Sequence, residues 1–133
     1  MNETAGKFNL TTWNEPLKDI KDTQAKSVVA QTVMTFTGGL SGEVHADYLM
    51  MKNVDETHYG GMMTFTGEVD GRRGSFLARV WGEYIEDTAT THFEIIRDSG
   101  TDQLTQLKGR GAYKAKASRD GEVKFSYELP ASK

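Results

Sequence analysis

Residues 59–84 read YGGMMTFTGEVDGRRGSFLARVWGEY, two alternating stretches joined by Asp70-Gly71. In the second stretch Phe76, Ala78, Val80, Gly82 and Tyr84 fall on one face. Ser75, Leu77, Arg79, Trp81 and Glu83 fall on the other, the period-two pattern of a half-buried strand. Asp-Gly favours the primed turns whose twist matches flanking strands. A hairpin whose paired residue numbers sum to 141 puts Tyr59, Gly61, Met63 and Phe65 inward opposite that apolar face. One strand upstream, a turn near Val54 with pairings summing to 109 adds Val44, Ala46, Tyr48 and Met50. This register sets Tyr48 beside Gly61 and Tyr59 beside Gly82, and an aromatic ring covering a strand glycine bends a sheet without leaving a hole.

The tetrapeptide TFTG occurs twice, at Thr35–Gly38 and Thr64–Gly67. Each copy reads as a corner, with Phe inward and Gly kinking the strand before it turns. A second Asp-Gly pair, Asp120-Gly121, suggests another tight turn. Strands are expected at about 6–14, 26–37, 41–53, 57–69, 72–86, 89–98, 109–117 and 122–129. Leu104 and Leu107, one turn apart between Ser99 or Thr101 and Gly109, predict a short helical turn near 101–108 that plugs a barrel end. The charged stretch 14–26 reads as a long connection, and long loops often act as lids. Eight short strands with glycine kinks favour an all-β fold, a closed eight-stranded antiparallel barrel.

The 133 residues fit a single domain, 1–133. Cysteine is absent, which excludes disulfides and thiolate chemistry. The net charge of −3 and interspersed signs argue against a nucleic-acid partner. Lys108, Arg110, Lys114 and Lys116 read as a solvated strand face. No apolar run has membrane-helix length, and the N-terminus lacks signal-peptide character, so a cytoplasmic location is expected. No cofactor is expected.

The segments FTGGLSGEVHADYLMM (36–51), YGGMMTFTGEVDGRRGSFLARVWGEY (59–84) and SGTDQLTQLKGRGAY (99–113), with TTWNE and FSYEL, resemble a bacterial family filed as domain of unknown function 3224. That family is similar to allene oxide cyclase barrels. The resemblance implies a calycin-like eight-stranded barrel, often oligomeric, whose apolar lumen can hold a small hydrophobic molecule. It implies no established reaction. The family pattern usually reads Gly-Leu-Glu-Arg-Phe where this chain has GMMTF (61–65), and often carries a histidine near Val80. By that resemblance an interior acid–base pair of the relatives is missing here.

The candidate ligand-binding residues are the inward Tyr48, Met50, Tyr59, Met63, Val80, Tyr84 and Tyr127, accompanied by Met34 and Tyr113. Tyrosine hydroxyls in an apolar pocket could hold a ligand's carbonyl or hydroxyl, whereas plain core filling is the bland alternative. His58, Glu83 and His92 would line up on the outer face if the turn near Asp87 sets a sum of 175, a candidate metal row beside the reading of a solvated polar row. Glu15 and Glu43, with Asp47 and Glu68, are the carboxylates to weigh as a catalytic base at the barrel mouth. Binding of a small apolar or aromatic molecule is therefore the first reading. The alternative is an isomerase, cyclase or lyase acting on a small apolar substrate by acid–base catalysis in the barrel. Outward Trp81, Leu77, Leu49 and Met51 additionally suggest a homo-oligomer.

Overall fold

The computed structural model describes residues 2–14, 17–18, 26–52, 56–116 and 120–129, with side chains placed outside 11–28, 116 and 120. The strands are β1 (Asn2–Asn14), β2 (Leu17–Lys18), β3 (Lys26–Gly38), β4 (Leu40–Lys52), β5 (Glu56–Val69), β6 (Arg72–Ile85), β7 (Thr88–Ile95), β8 (Lys108–Lys116) and β9 (Asp120–Glu128). Each pairs antiparallel with its sequence neighbour from β3 to β9. β1 then pairs with β9 on one side and with β3 on the other, so the sheet closes into an eight-stranded barrel. The two-residue β2 lies beside the start of β3, within the stretch expected to be a connection. A register shift between Leu10 and Thr12 lets β1 bend along this seam.

Both expected central registers are present. Val44 pairs with Phe65, Tyr48 with Gly61, and Tyr59 with Gly82. Aromatic–glycine pairs recur elsewhere, as Phe36 with Gly42, Phe93 with Gly111 and Phe8 with Gly121. A Cβ on Gly111 would sit 2.5 Å from the Phe93 ring, and one on Gly121 2.7 Å from Phe8. Gly82, Gly111 and Gly121 thus leave room for the Tyr59, Phe93 and Phe8 rings against their strands, and the sheet curls around the rings. The corners at TFTG have a further cause. Gly42 faces Gly67 across β4–β5, and a Cβ on either would meet the other's Cα at 2.7 Å.

Asp70 and Gly71 both have positive φ, 47° and 86°, as a type I′ turn demands. Asp120-Gly121, by contrast, is not a described turn. It opens β9, where Gly121 lies under Phe8. The turn after Ile85 is built from Glu86 (φ 50°) and Asp87 (φ 67°), two non-glycine residues in the left-handed region.

One barrel end is plugged. The excursion after β7 forms a single 3-10 turn, Asp102–Leu104, and buries Leu104 and Leu107. It seats on β6 because Gly74 has no side chain, and a Cβ there would lie 2.2 Å from the Thr101 carbonyl oxygen. The Thr101 hydroxyl bonds Ser75, while Ser99 accepts from the Leu77 amide at 3.1 Å. Inside, all six phenylalanines are buried. With Tyr113 they form a circuit of ring contacts at centroid separations of 5.0–6.2 Å.

Candidate functional site

β4, β5, β7 and β8 carry an interior chain of hydroxyls. Tyr48 and Tyr113 share a hydrogen bond of 2.6 Å between buried hydroxyls. Tyr113 also bonds Thr91, and Thr91 bonds the Tyr59 hydroxyl at 2.5 Å. The Tyr48 ring meets Tyr59 edge-on with centroids 5.2 Å apart. Alternation explains the convergence, since each of these residues stands on the inward face of its strand. Thr91 is the partner that sequence reading missed. Its signal was available in THFEI, where an inward threonine interrupts the set Thr91, Phe93, Ile95.

Burial pushes the Tyr48 phenol well above its ordinary value, and the bond to Tyr113 pulls it only partly back. Burial likewise raises Tyr59 and Tyr113, in the latter case reinforced by Tyr48. These phenols therefore stay protonated at neutral pH. They act as donors and acceptors of neutral hydrogen bonds, not as bases.

Of the expected ligand-binding residues, Tyr48, Met50, Tyr59, Met63, Val80 and Tyr127 are buried inside the barrel. Tyr84 is not. It is 37% exposed and donates to Asp87 at 2.7 Å. Parity places it on the inward side, but it stands on the last rungs of β6, next to the turn, where the barrel no longer encloses it. Tyr127 lies near the plugged end and donates to Asp70, whose other oxygen accepts from Thr4 at 2.7 Å. Burial and that carboxylate push the Tyr127 phenol up to about 12. Asp70 thus ties the central hairpin to β1 and β9, a latch role that the sequence did not reveal.

Met63 and Val80 both occupy interior positions. Among the described residues the buried polar side chains other than tyrosine are Thr32 and Thr91. Glu43, Asp47 and Glu68 lie exposed on the outer face, and Glu43 pairs with His45 at 2.5 Å. Glu15 lies outside the described residues.

The expected His58–Glu83–His92 row is broken by register. β6 and β7 pair with numbers summing to 173, so Glu83 faces Thr90 and His92 faces Trp81. His92 stacks on Trp81 at 5.8 Å, while His58 bonds Glu56 at 2.9 Å and stands 3.9 Å from Glu83. The bond to Glu56 raises the His58 pKa. Among the described residues no three His, Asp or Glu side chains are grouped to hold a metal ion. A separate surface groove of about 410 Å³ lies where β7 parts from β8, bordered by Arg97, Leu107, Lys108 and Glu128. It does not adjoin the hydroxyl chain. No helix among the described residues is long and apolar enough to cross a membrane.

The fold is similar to a crystal structure of a protein of unknown function from the DUF3224 family of Shewanella oneidensis MR-1. The TM-score is 0.82 at 22% identity, over 98% of this chain and 99% of that one. Among curated proteins nothing matches. The model of the family described as protein of unknown function (DUF3224) matches residues 4–127, and the chain belongs to that family.

Proposed function

We propose that this barrel binds a small, neutral, apolar or aromatic molecule bearing a hydrogen-bond acceptor, held by the hydroxyls of Tyr48, Tyr59 and Tyr113. The observation that carries the reading is how the interior is filled. Over most of its length the barrel uses phenylalanine. Three tyrosines and a threonine then meet in one chain of hydroxyls. A purely structural core gains little from such a chain, because replacing both partners of a buried hydrogen bond by apolar groups is often neutral. Hydroxyls in an apolar enclosure are what fixes the orientation of a small ligand. Met50 and Met63 beside them adapt to irregular shapes.

The ligand is neutral because the described interior offers no cation to offset a buried carboxylate and no anion to offset an amine. The same inventory gives the acid–base alternative no support, since protonated phenols donate but do not abstract. Thermal denaturation with a panel of neutral aromatic ketones and phenols, beside their carboxylate analogues, tests the reading. Neutral members at about ten times Kd should stabilise the protein by roughly 1.4 kcal/mol, a few degrees in Tm. Tyr113→Phe should lose most of that shift. A panel that leaves Tm unchanged, or carboxylates that outperform their neutral analogues, contradicts the proposal.

A further inference from the structure

Among the described residues, five of the six exposed large apolar side chains, Leu49, Met51, Met62, Leu77 and Trp81, project from the outer face of β4, β5 and β6. In the midst of them is Gly60, with Leu49 opposite it on β4 and Trp81 opposite it on β6. Gly60 differs from the other strand glycines. A Cβ on Gly61 would lie 1.8 Å from the Asp47 carbonyl oxygen, but a Cβ on Gly60 would find its nearest neighbour, the Val80 oxygen, at 3.5 Å. Nothing among the described residues requires a glycine there. A strand glycine of this kind marks a place that something else approaches closely.

Along the same strand and face, Met62 stands two residues from Gly60 and is 45% exposed. A knob and a hollow side by side on one strand are self-complementary under a two-fold axis passing between them, which is the requirement of an isologous contact. We propose that this face is a homodimer interface. In it β5 of two copies runs antiparallel face to face about an axis crossing at Gly61, and Met62 of each copy fills the hollow over Gly60 of the other.

The charges agree with that operation. The row through Met62 is Asp47, Met62, Arg79, Glu94, and the row through Gly60 is Leu49, Gly60, Trp81, His92. Exchanging the rows brings Arg79 over Trp81 of the second copy, as it already lies 4.8 Å over its own Trp81. The same exchange brings Glu94, which pairs with Arg79 at 3.0 Å, over His92 of the second copy. Of the residues in these rows only Asp47 meets a mismatched group, Leu49. The face spans few strands of a convex barrel, so the contact belongs to the small, weak end of specific interfaces.

Analytical ultracentrifugation at about 100 μM tests it. The expected result is twice the 14.8 kDa chain mass for the wild type. Gly60→Arg should run at the single-chain mass with unchanged circular dichroism, because its Cβ meets no clash. Met62→Lys, already exposed in the single chain, should do the same and guards against a folding defect in the first variant. A single-chain mass for the wild type at this concentration, or a dimer that survives Gly60→Arg and Met62→Lys alike, overturns the proposal.

Discussion

Removing the Tyr113 hydroxyl is the sharpest perturbation of the interior chain. Tyr113 bonds both Tyr48 and Thr91 and is itself 5% exposed. Tyr113→Phe deletes two hydrogen bonds and leaves both partners short of one bond inside an apolar enclosure. At about 0.5–1.5 kcal/mol for each bond, with a further desolvation cost for the stranded groups, the loss should be about 2–3 kcal/mol. Tyr48→Phe should cost less, about 1–1.5 kcal/mol, because Tyr113 retains Thr91. The double variant should cost no more than Tyr113→Phe alone, since the shared bond can be lost only once. That leaves a coupling of about 1 kcal/mol in a double-mutant cycle. Urea denaturation at equilibrium reads these energies, and Tm should fall by roughly 6–12 °C for Tyr113→Phe. Losses that add to within about 0.3 kcal/mol would refute the hydroxyl chain.

Three other perturbations are set by named contacts. The Tyr127 phenol has its folded pKa raised to about 12 against an ordinary 10.0, so the folded state holds its proton longer than the unfolded chain. Its stabilisation is complete below pH 10 and declines as pH rises toward 12, and Tyr127→Phe should lessen the slope of that segment of a stability–pH curve, to which the other raised tyrosines also contribute. Gly60→Ala and Gly61→Ala form a neighbouring pair with opposite expectations. The first should be within about 0.5 kcal/mol of wild type or slightly stabilising in urea titrations, the second should lose more than about 3 kcal/mol against the Asp47 backbone oxygen. At the β6–β7 turn, Glu86→Asn with Asp87→Gly relieves two left-handed non-glycine residues and should raise stability by about 1 kcal/mol in thermal melts, despite losing the exposed Tyr84–Asp87 bond.

Much of this barrel was legible because alternation fixes facing and Asp70-Gly71 fixes register. Together they placed Tyr59 on Gly82, and the turn near Val54 placed Tyr48 on Gly61 in the same way. The β6–β7 register failed by two residues for a definite reason. Its turn is Glu86-Asp87, which carries no glycine to mark the left-handed positions, so the hairpin centre was placed one residue too late and His92 was aligned with Glu83. Facing survived, because a shift of two preserves parity. Tyr84 shows the limit of parity itself. Alternation tells which side a residue takes, but depth along the barrel depends on where neighbouring strands end. Asp120-Gly121 misled in the opposite way, its glycine serving the Phe8 ring and not a described turn. The hydroxyl chain was half visible, as tyrosines on inward faces. Thr91 joined it only once β7 was set against β8.

Methionine methyls report directly on whether a small neutral molecule enters the barrel and reaches its hydroxyls. Two adjacent pairs point opposite ways. Met50 and Met63 lie inside, at 7% and 1% exposure, while Met51 and Met62 lie outside at 60% and 45%. Titrating ¹³C-methyl-methionine protein with a neutral aromatic ketone should shift the Met50 and Met63 resonances in proportion to occupancy and leave Met51 and Met62 in place. Unmoved inner methyls at saturating ketone, or shifts confined to the outer pair, would contradict the account.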